Sequence, residues 1–348
     1  MNSHCNKLSN NPKEDTWAWV EIGEPFPDGP MRVKGEQNQY VALWYKHGNP
    51  ICGRAWNNNG VVECSFGFLT YELTGKKDLG GKIQILTYEH WKDPIQAWRE
   101  CGYWYEWVPW KLRRKTNCAL VRCGDAAPIL AIGADGNTYC ANVKISDETV
   151  TWGRNGKCET KNTHVQDLLT LVRCYCEPPP PTQLPKTSED LWGDVKEGDD
   201  WARVGDAIQA MSRPLRGPIP NGHVALWYCD GNPIFGCTWN EGGKVKATFG
   251  ARGHEYRDKV GSLQILTWSP NRQNFEISWR QFKDCKTGGW RPCQVADCAP
   301  CVIVSKKGEE HLGRVLVHEE KASYPEDGKE VVFVGPQVQQ FFVLCRTN

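Results

Sequence analysis

Cys298-x-x-Cys301 is the one CxxC in the chain, a spacing at which thiolates hold zinc, and Cys174-x-Cys176 is the one CxC. A structural zinc needs four ligands, and Cys285, Cys293, Cys298 and Cys301 are the set that could supply them. The first half of the chain has only Cys118 and Cys123 in the matching region, at another spacing. Free thiols are therefore expected ahead of a metal, and no cofactor is expected. Residues 75–82 (GKKDLGGK) approach a phosphate-binding loop but miss GxxxxGK[ST] by one residue. The matching stretch later in the chain is three residues shorter, so this one reads as a charged hairpin loop. The 8 histidines form no HExxH, and there is no GxSxG elbow. No catalytic residue set emerges.

The 17 tryptophans raise stacking on sugars or single-stranded nucleic acid. Trp44 and Trp227, and Trp56 and Trp239, stand at matching places in two copies of one segment, which is how core or pseudo-symmetric interface residues behave. Tyr103, Trp104, Tyr105, Trp107 and Trp110 are different, because the matching stretch around Trp290 keeps one aromatic. An aromatic excess in one copy reads either as an exposed partner-binding patch or as a local core. Thr182, Thr187 and Ser188 lie in a proline-rich segment, with acidic residues after Thr187. There a Ser/Thr kinase could add charge and change docking between the halves.

The elements that must position these residues come from a duplication. The segment VALWYKHGNPICGRAWNNNGVVECSFG from Val41 returns from Val224 as VALWYCDGNPIFGCTWNEGGKVKATFG, identical at sixteen of 27 positions. Residues 41–45 read as a strand, 47–50 as a tight turn, 51–56 as the return strand, 57–60 as a second turn and 61–66 as a third strand. Short helical candidates are 93–100 and 165–172, although LLTLV in the latter also closes a strand–turn–strand pattern. A fainter copy of the unit follows each strong one, giving units at about 40–87, 127–172, 223–267 and 299–345. The expected fold class is mostly β: two duplicated antiparallel domains, each a pair of similar units with pseudo-two-fold symmetry. The expected layout is a disordered arm at 1–15, domains at 16–177 and 190–348, and a proline-rich linker at 178–189. Four prolines from Pro178 make that linker a semi-rigid spacer of about 12 Å at ~3.1 Å per residue.

Composition narrows the partners. With 42 basic and 41 acidic residues the net charge is +1, which argues against nucleic acid and anionic membranes. No apolar run reaches the ~18–20 residues of a membrane span, so no membrane insertion is expected, and the first residues lack a signal peptide's apolar core. The 17 cysteines are odd in number, are not kept between the copies, and accompany no Asn-x-Ser/Thr acceptor. A reduced, cytoplasmic protein is expected.

The repeated unit resembles the DM-nine repeat. The chain as a whole is similar to the major sperm protein fiber protein 2 family of nematodes. The doubled ALWY-x-x-GNPI-x-G-x-x-WN block, the two QILT segments (84–87 and 264–267) and the proline linker carry this likeness. It implies a non-enzymatic cytoskeletal accessory protein of the sperm pseudopod, whose partners are major sperm protein filaments or subunits and which promotes their assembly or bundling. Some DM-nine proteins bind mannose, so a lectin-like module is the alternative. A matching set of sugar ligands cannot be placed, because Asp230 and Glu241 are His47 and Asn58 in the first copy. An enzyme would require a polar pocket in one half with convergent titratable groups.

Overall fold

The computed structural model describes residues 15–88, 94–178, 190–270 and 273–347. The expected N-terminal arm lies outside the described residues save for Asp15, and the linker save for Pro178.

In the first half, β1 (Thr16–Glu21), β2 (Tyr40–Lys46), β3 (Asn49–Asn58), β4 (Val61–Phe68), β5 (Tyr71–Thr74) and β6 (Lys82–Thr87) form one unit. A one-turn helix, α1 (Gly75–Leu79), joins β5 to β6. After α2 (Pro94–Cys101) come β7 (Trp104–Pro109), β8 (Cys118–Leu120), β9 (Ala126–Ile132) and β10 (Thr138–Lys144). The second unit closes with β11 (Thr149–Arg154), β12 (Lys157–Lys161) and β13 (Leu169–Cys174). All belong to one curled antiparallel sheet in the order β1-β6-β2-β3-β4-β5-β12-β11-β10-β9-β13-β7, with β8 on β13. Read from either end, the order relates β1 to β7, β6 to β13 and β2 to β9. That is the expected pairing of two like units.

The second half repeats this plan. Its first unit comprises β14 (Leu191–Lys196), β15 (His223–Cys229), β16 (Asn232–Glu241), β17 (Lys244–Ala251), β18 (His254–Arg257) and β19 (Ser262–Thr267). Its second comprises β20 (Ile277–Gln281), β21 (Trp290–Pro292), β22 (Cys298–Val304), β23 (Glu310–Leu316), β24 (Lys321–Glu326), β25 (Lys329–Val334) and β26 (Phe342–Thr347). The strand order is β14-β19-β15-β16-β17-β18-β25-β24-β23-β22-β26-β20.

The VALWY segment that opens the doubled block is apolar because its strand is buried on both faces. Side chains alternate along a strand. On β15, Ala225, Trp227 and Cys229 enter the core of their own unit. Val224, Leu226 and Tyr228 enter a core shared with Val302, Leu312 and Leu344 of the sister unit. The hairpin before β3 turns through His47 (φ 50) and Gly48 (φ 81), and the one before β16 through Asp230 (φ 48) and Gly231 (φ 75). These are the left-handed conformations that a two-residue hairpin requires. Gly53 and Gly236 are demanded by packing, since a Cβ there would lie 2.4 and 2.5 Å from the Phe66 and Phe249 rings.

Two local expectations change. Residues 165–172 are not helical beyond one 3-10 turn at Val165–Asp167; β13 follows directly, its Thr170, Leu171 and Val172 fully buried. Pairing with β7 and β9 buries both faces of this segment, which a surface helix could not do. Residues 75–82 are α1 and a glycine turn rather than a plain hairpin loop. The helix buries Leu79, whose carbonyl accepts the Trp44 indole N–H at 2.9 Å. The shorter second copy keeps this bond, from Trp227 to the Val260 carbonyl at 3.1 Å.

Candidate functional site

Strands of equal length align the halves residue by residue, β3 with β16, β10 with β23 and β11 with β24. Three positions that meet between the paired units differ in kind. Arg54, Tyr139 and Arg154 stand in the first half where the second has Cys237, His311 and Glu326.

In the first half this space is filled. The Arg54 guanidinium lies 4.5 Å from the Tyr139 ring centroid, 5.1 Å from that of Trp56 and 3.7 Å from Glu72. Arg154 pairs with Glu159 and lies 3.6 Å from Asp135, whose carboxylate accepts the Tyr139 hydroxyl at 2.6 Å.

In the second half a cavity of about 710 Å³ opens instead. Cys237, Thr248, Glu255 and Arg257 line it from one unit, and Glu309, Glu310, His311 and Glu326 from the other. Glu310 is buried and clamped: Arg213 donates two bonds of 2.7 Å, and Arg216 donates its backbone N–H at 2.9 Å and a guanidinium N–H at 3.1 Å. Arg213 foremost holds the Glu310 carboxyl down at about 2. Glu255 accepts the Thr248 hydroxyl and the Gly328 N–H, both at 2.8 Å. The Cys237 thiol is pushed by burial up to about 12, so it packs as a small hydrophobe and is no nucleophile.

His311 lines the cavity, stacked on Tyr324 with ring centroids 4.2 Å apart. Its Nε2 faces Glu309 at 3.7 Å and Glu326 at 3.8 Å. Burial lowers the His311 pKa, which favours the neutral imidazole. Tyr324 donates its hydroxyl to Glu326 at 3.2 Å, and Lys307 approaches the other oxygen of that carboxylate at 3.4 Å. A polar pocket with convergent titratable groups is thus present in the second half. What it assembles is a neutral imidazole beside two carboxylates, a set suited to holding a cation or a proton.

The residues singled out from sequence lie elsewhere. Trp110 is fully buried in the core around β9 and β10, and Tyr103 and Tyr105 are buried against Tyr88. Trp104 and Trp107 are half-buried and pack on the same core. The strand order also corrects the match between the copies: β7 corresponds to β20, so residues 103–110 align with 275–282, which keep Phe275, Trp279 and Phe282, and Trp290 aligns with Cys118. The aromatics of the first half are mainly a local core, and a contiguous exposed patch of these five side chains does not form. Packing explains the crowding: Tyr105 donates to Asp15 at 2.7 Å, and Asp15 also accepts Arg173 at 3.1 Å.

The four candidate zinc cysteines do not converge. Cys293 and Cys298 join the core between units, whereas Cys285 and Cys301 join the core of the second unit. Residues three apart on a strand point to opposite faces, which separates Cys298 from Cys301. Among the described residues the cysteines are free thiols. Thr182, Thr187 and Ser188 lie outside the described residues.

Sequence reasoning missed Glu309, His311 and Glu326. The signal was available in the paired comparison, since Arg54 opposite Cys237 marks the place where a large cation gives way to a small side chain.

Comparison with known proteins adds what geometry alone does not. The MFP2b family model, described as a cytosolic motility protein, matches twice, over residues 14–175 and 189–348. Among solved structures, that of the nematode sperm cell motility protein MFP2B matches with a TM-score of 0.90 at 38% identity. The match covers 96% of this chain and 98% of that one. No curated protein sequence matches.

Proposed function

The chain belongs to the MFP2b family of cytosolic motility proteins, and from that premise we propose that it serves sperm motility by binding major sperm protein filaments and promoting their assembly or bundling. The observation that supports this reading best is the duplication: two halves of one strand order, each matched by the same family model. A filament offers repeated identical sites, and linking two weak binders makes the second contact intramolecular. At roughly mM effective concentration the gain is about 10²–10⁴-fold over one half alone. No catalytic residue is needed for that, and the protein acts as a binder rather than an enzyme. Its place of action is the cytoskeleton of the sperm pseudopod. Thr182, Thr187 and Ser188 are the candidate acceptors through which a Ser/Thr kinase would regulate it.

Co-sedimentation with assembled major sperm protein, together with faster fibre growth on addition of the protein, is the expected result; failure of both removes the reading. Cutting the chain between Pro181 and Ser188 should leave a mixture that promotes assembly less well than the intact protein. Equal activity would overturn the bivalent mechanism alone. The polar cavity of the second half keeps one competing reading, a mannose-binding module. Retention on a mannose column would favour it, and a filament factor should pass through.

A further inference from the structure

We propose that the second half holds one divalent first-row metal ion between Glu309, His311 and Glu326, in the lining of its polar cavity. The donor atoms of these three side chains lie within 4.8 Å of one another. Ligands about 2.0–2.2 Å from a metal sit roughly 3–3.6 Å apart, so rotation of the half-exposed Glu309 closes the set.

The observation that points to a ligand is the imidazole. His311 is only 7% exposed, yet its buried Nε2 has no hydrogen-bond partner. A buried polar atom left unpaired is costly, and this one is aimed between two carboxylates. Burial favours the neutral form of His311, the form that ligates. The support expected around a metal ligand is present as well, since the Tyr324 hydroxyl holds one oxygen of Glu326 and leaves the other facing His311.

Charge gives the same answer. Two carboxylates and a neutral imidazole carry a formal charge that one divalent cation balances. Lys307, whose side chain is well exposed, supplies a single positive charge 3.4 Å from Glu326. The first half shows the alternative solution. Asn137, Tyr139 and Arg154 occupy the three matching positions, and Arg154 is itself the cation, bound to Glu159 and facing Asp135. The second half has Glu326 in place of that guanidinium, and a donor set with room for an ion. Two carboxylates with one imidazole, and no thiolate, suit manganese or zinc.

Manganese is the better probe, because the chain's many thiols are poor ligands for it. Titration of the full chain with Mn²⁺, followed by loss of the free-ion EPR signal, should show one saturable site from which Zn²⁺ displaces the probe. Glu309→Gln is isosteric and half-exposed, so the fold should persist, and it should weaken binding about tenfold or more. Lys307→Met removes the competing ammonium and should tighten binding about threefold or more, a gain that misfolding cannot imitate. Absence of a saturable site in the parent chain would overturn the proposal. So would binding unchanged by Glu309→Gln, or unchanged or weakened by Lys307→Met.

Discussion

In the first half, two guanidinium groups fill the space between paired units; in the second, the same strands in the same order surround a cavity. The frame is therefore set by something other than what fills that space. It is set by strands such as β2 and β15, which are buried on both faces, and by the hairpins around them. The seams differ in the same spirit. Glu255 accepts the Gly328 N–H at 2.8 Å and Glu330 accepts the Gly253 N–H at 2.9 Å, a reciprocal clamp across β18 and β25. The first half has one such bond, Glu72 with the Gly156 N–H at 2.8 Å, because Cys158 stands where Glu330 would be. Duplicated scaffolds can thus diverge wherever the ladder does not constrain them.

Core truncation should separate the halves most. Trp110 is fully buried, donates its indole N–H to Glu148 at 2.9 Å and stacks against Arg113, whereas its counterpart Phe282 makes only apolar contacts in its cluster. Trp110→Ala should cost the first half about 3–5 kcal/mol. Calorimetry should place that loss in one transition and find a smaller loss for Phe282→Ala in the other.

The Glu310 clamp comes next. Its counterpart, Thr138, is held by a neutral device: the Gln39 amide donates to the Thr138 carbonyl at 3.0 Å and accepts the Cys140 N–H at 2.5 Å. Arg213→Gln should destabilise the second half by about 1–3 kcal/mol. Because the Glu310 pKa is lowered in the folded state, from 4.5 to about 2, its contribution is present above the unfolded value and is lost as pH falls through the folded one. Acid melts should therefore lower the second transition across that window, and Arg213→Gln should flatten the dependence. An unchanged slope would break the assignment.

Arg54→Cys, which copies the second half into the first, should cost about 1–2 kcal/mol through lost stacking and packing. Urea unfolding of the first half measures it; a larger loss would show that the cavity of the second half depends on more than Cys237. The smallest effect should come from Glu330→Gln. Burial alone would raise the pKa of this carboxyl, but the Gly253 N–H and Arg314 prevail and lower it. The exchange trades charge-assisted bonds for neutral ones, at about 1 kcal/mol. Hydrogen exchange at Gly253 should quicken accordingly, with no change at Gly156.

The frame was legible in sequence because both its signals are local. A strand buried on both faces writes itself as VALWY, and a tight hairpin writes itself as HGNP or DGNP. The 165–172 segment misled because apolar residues at short spacing suit either a helix or a strand, and only pairing with β7 and β9 decides. The aromatic cluster stayed open between an exposed patch and a local core because composition does not report exposure. The cavity was legible only at one point, Arg54 opposite Cys237, because its makers, Cys237, His311 and Glu326, lie on three strands that only the folded sheet brings together. No spacing rule links them.

The doubled strand also poses a problem for the chain as it is made. Two nearly identical segments, each apolar on both faces, could pair with the wrong neighbours or with one another before either sheet closes. Synthesis separates them in time. At about 5–20 residues per second, the second copy emerges roughly 10–40 s after the first, long enough for the first sheet to bury its own VALWY strand. The order of manufacture thus becomes part of what keeps two like halves apart.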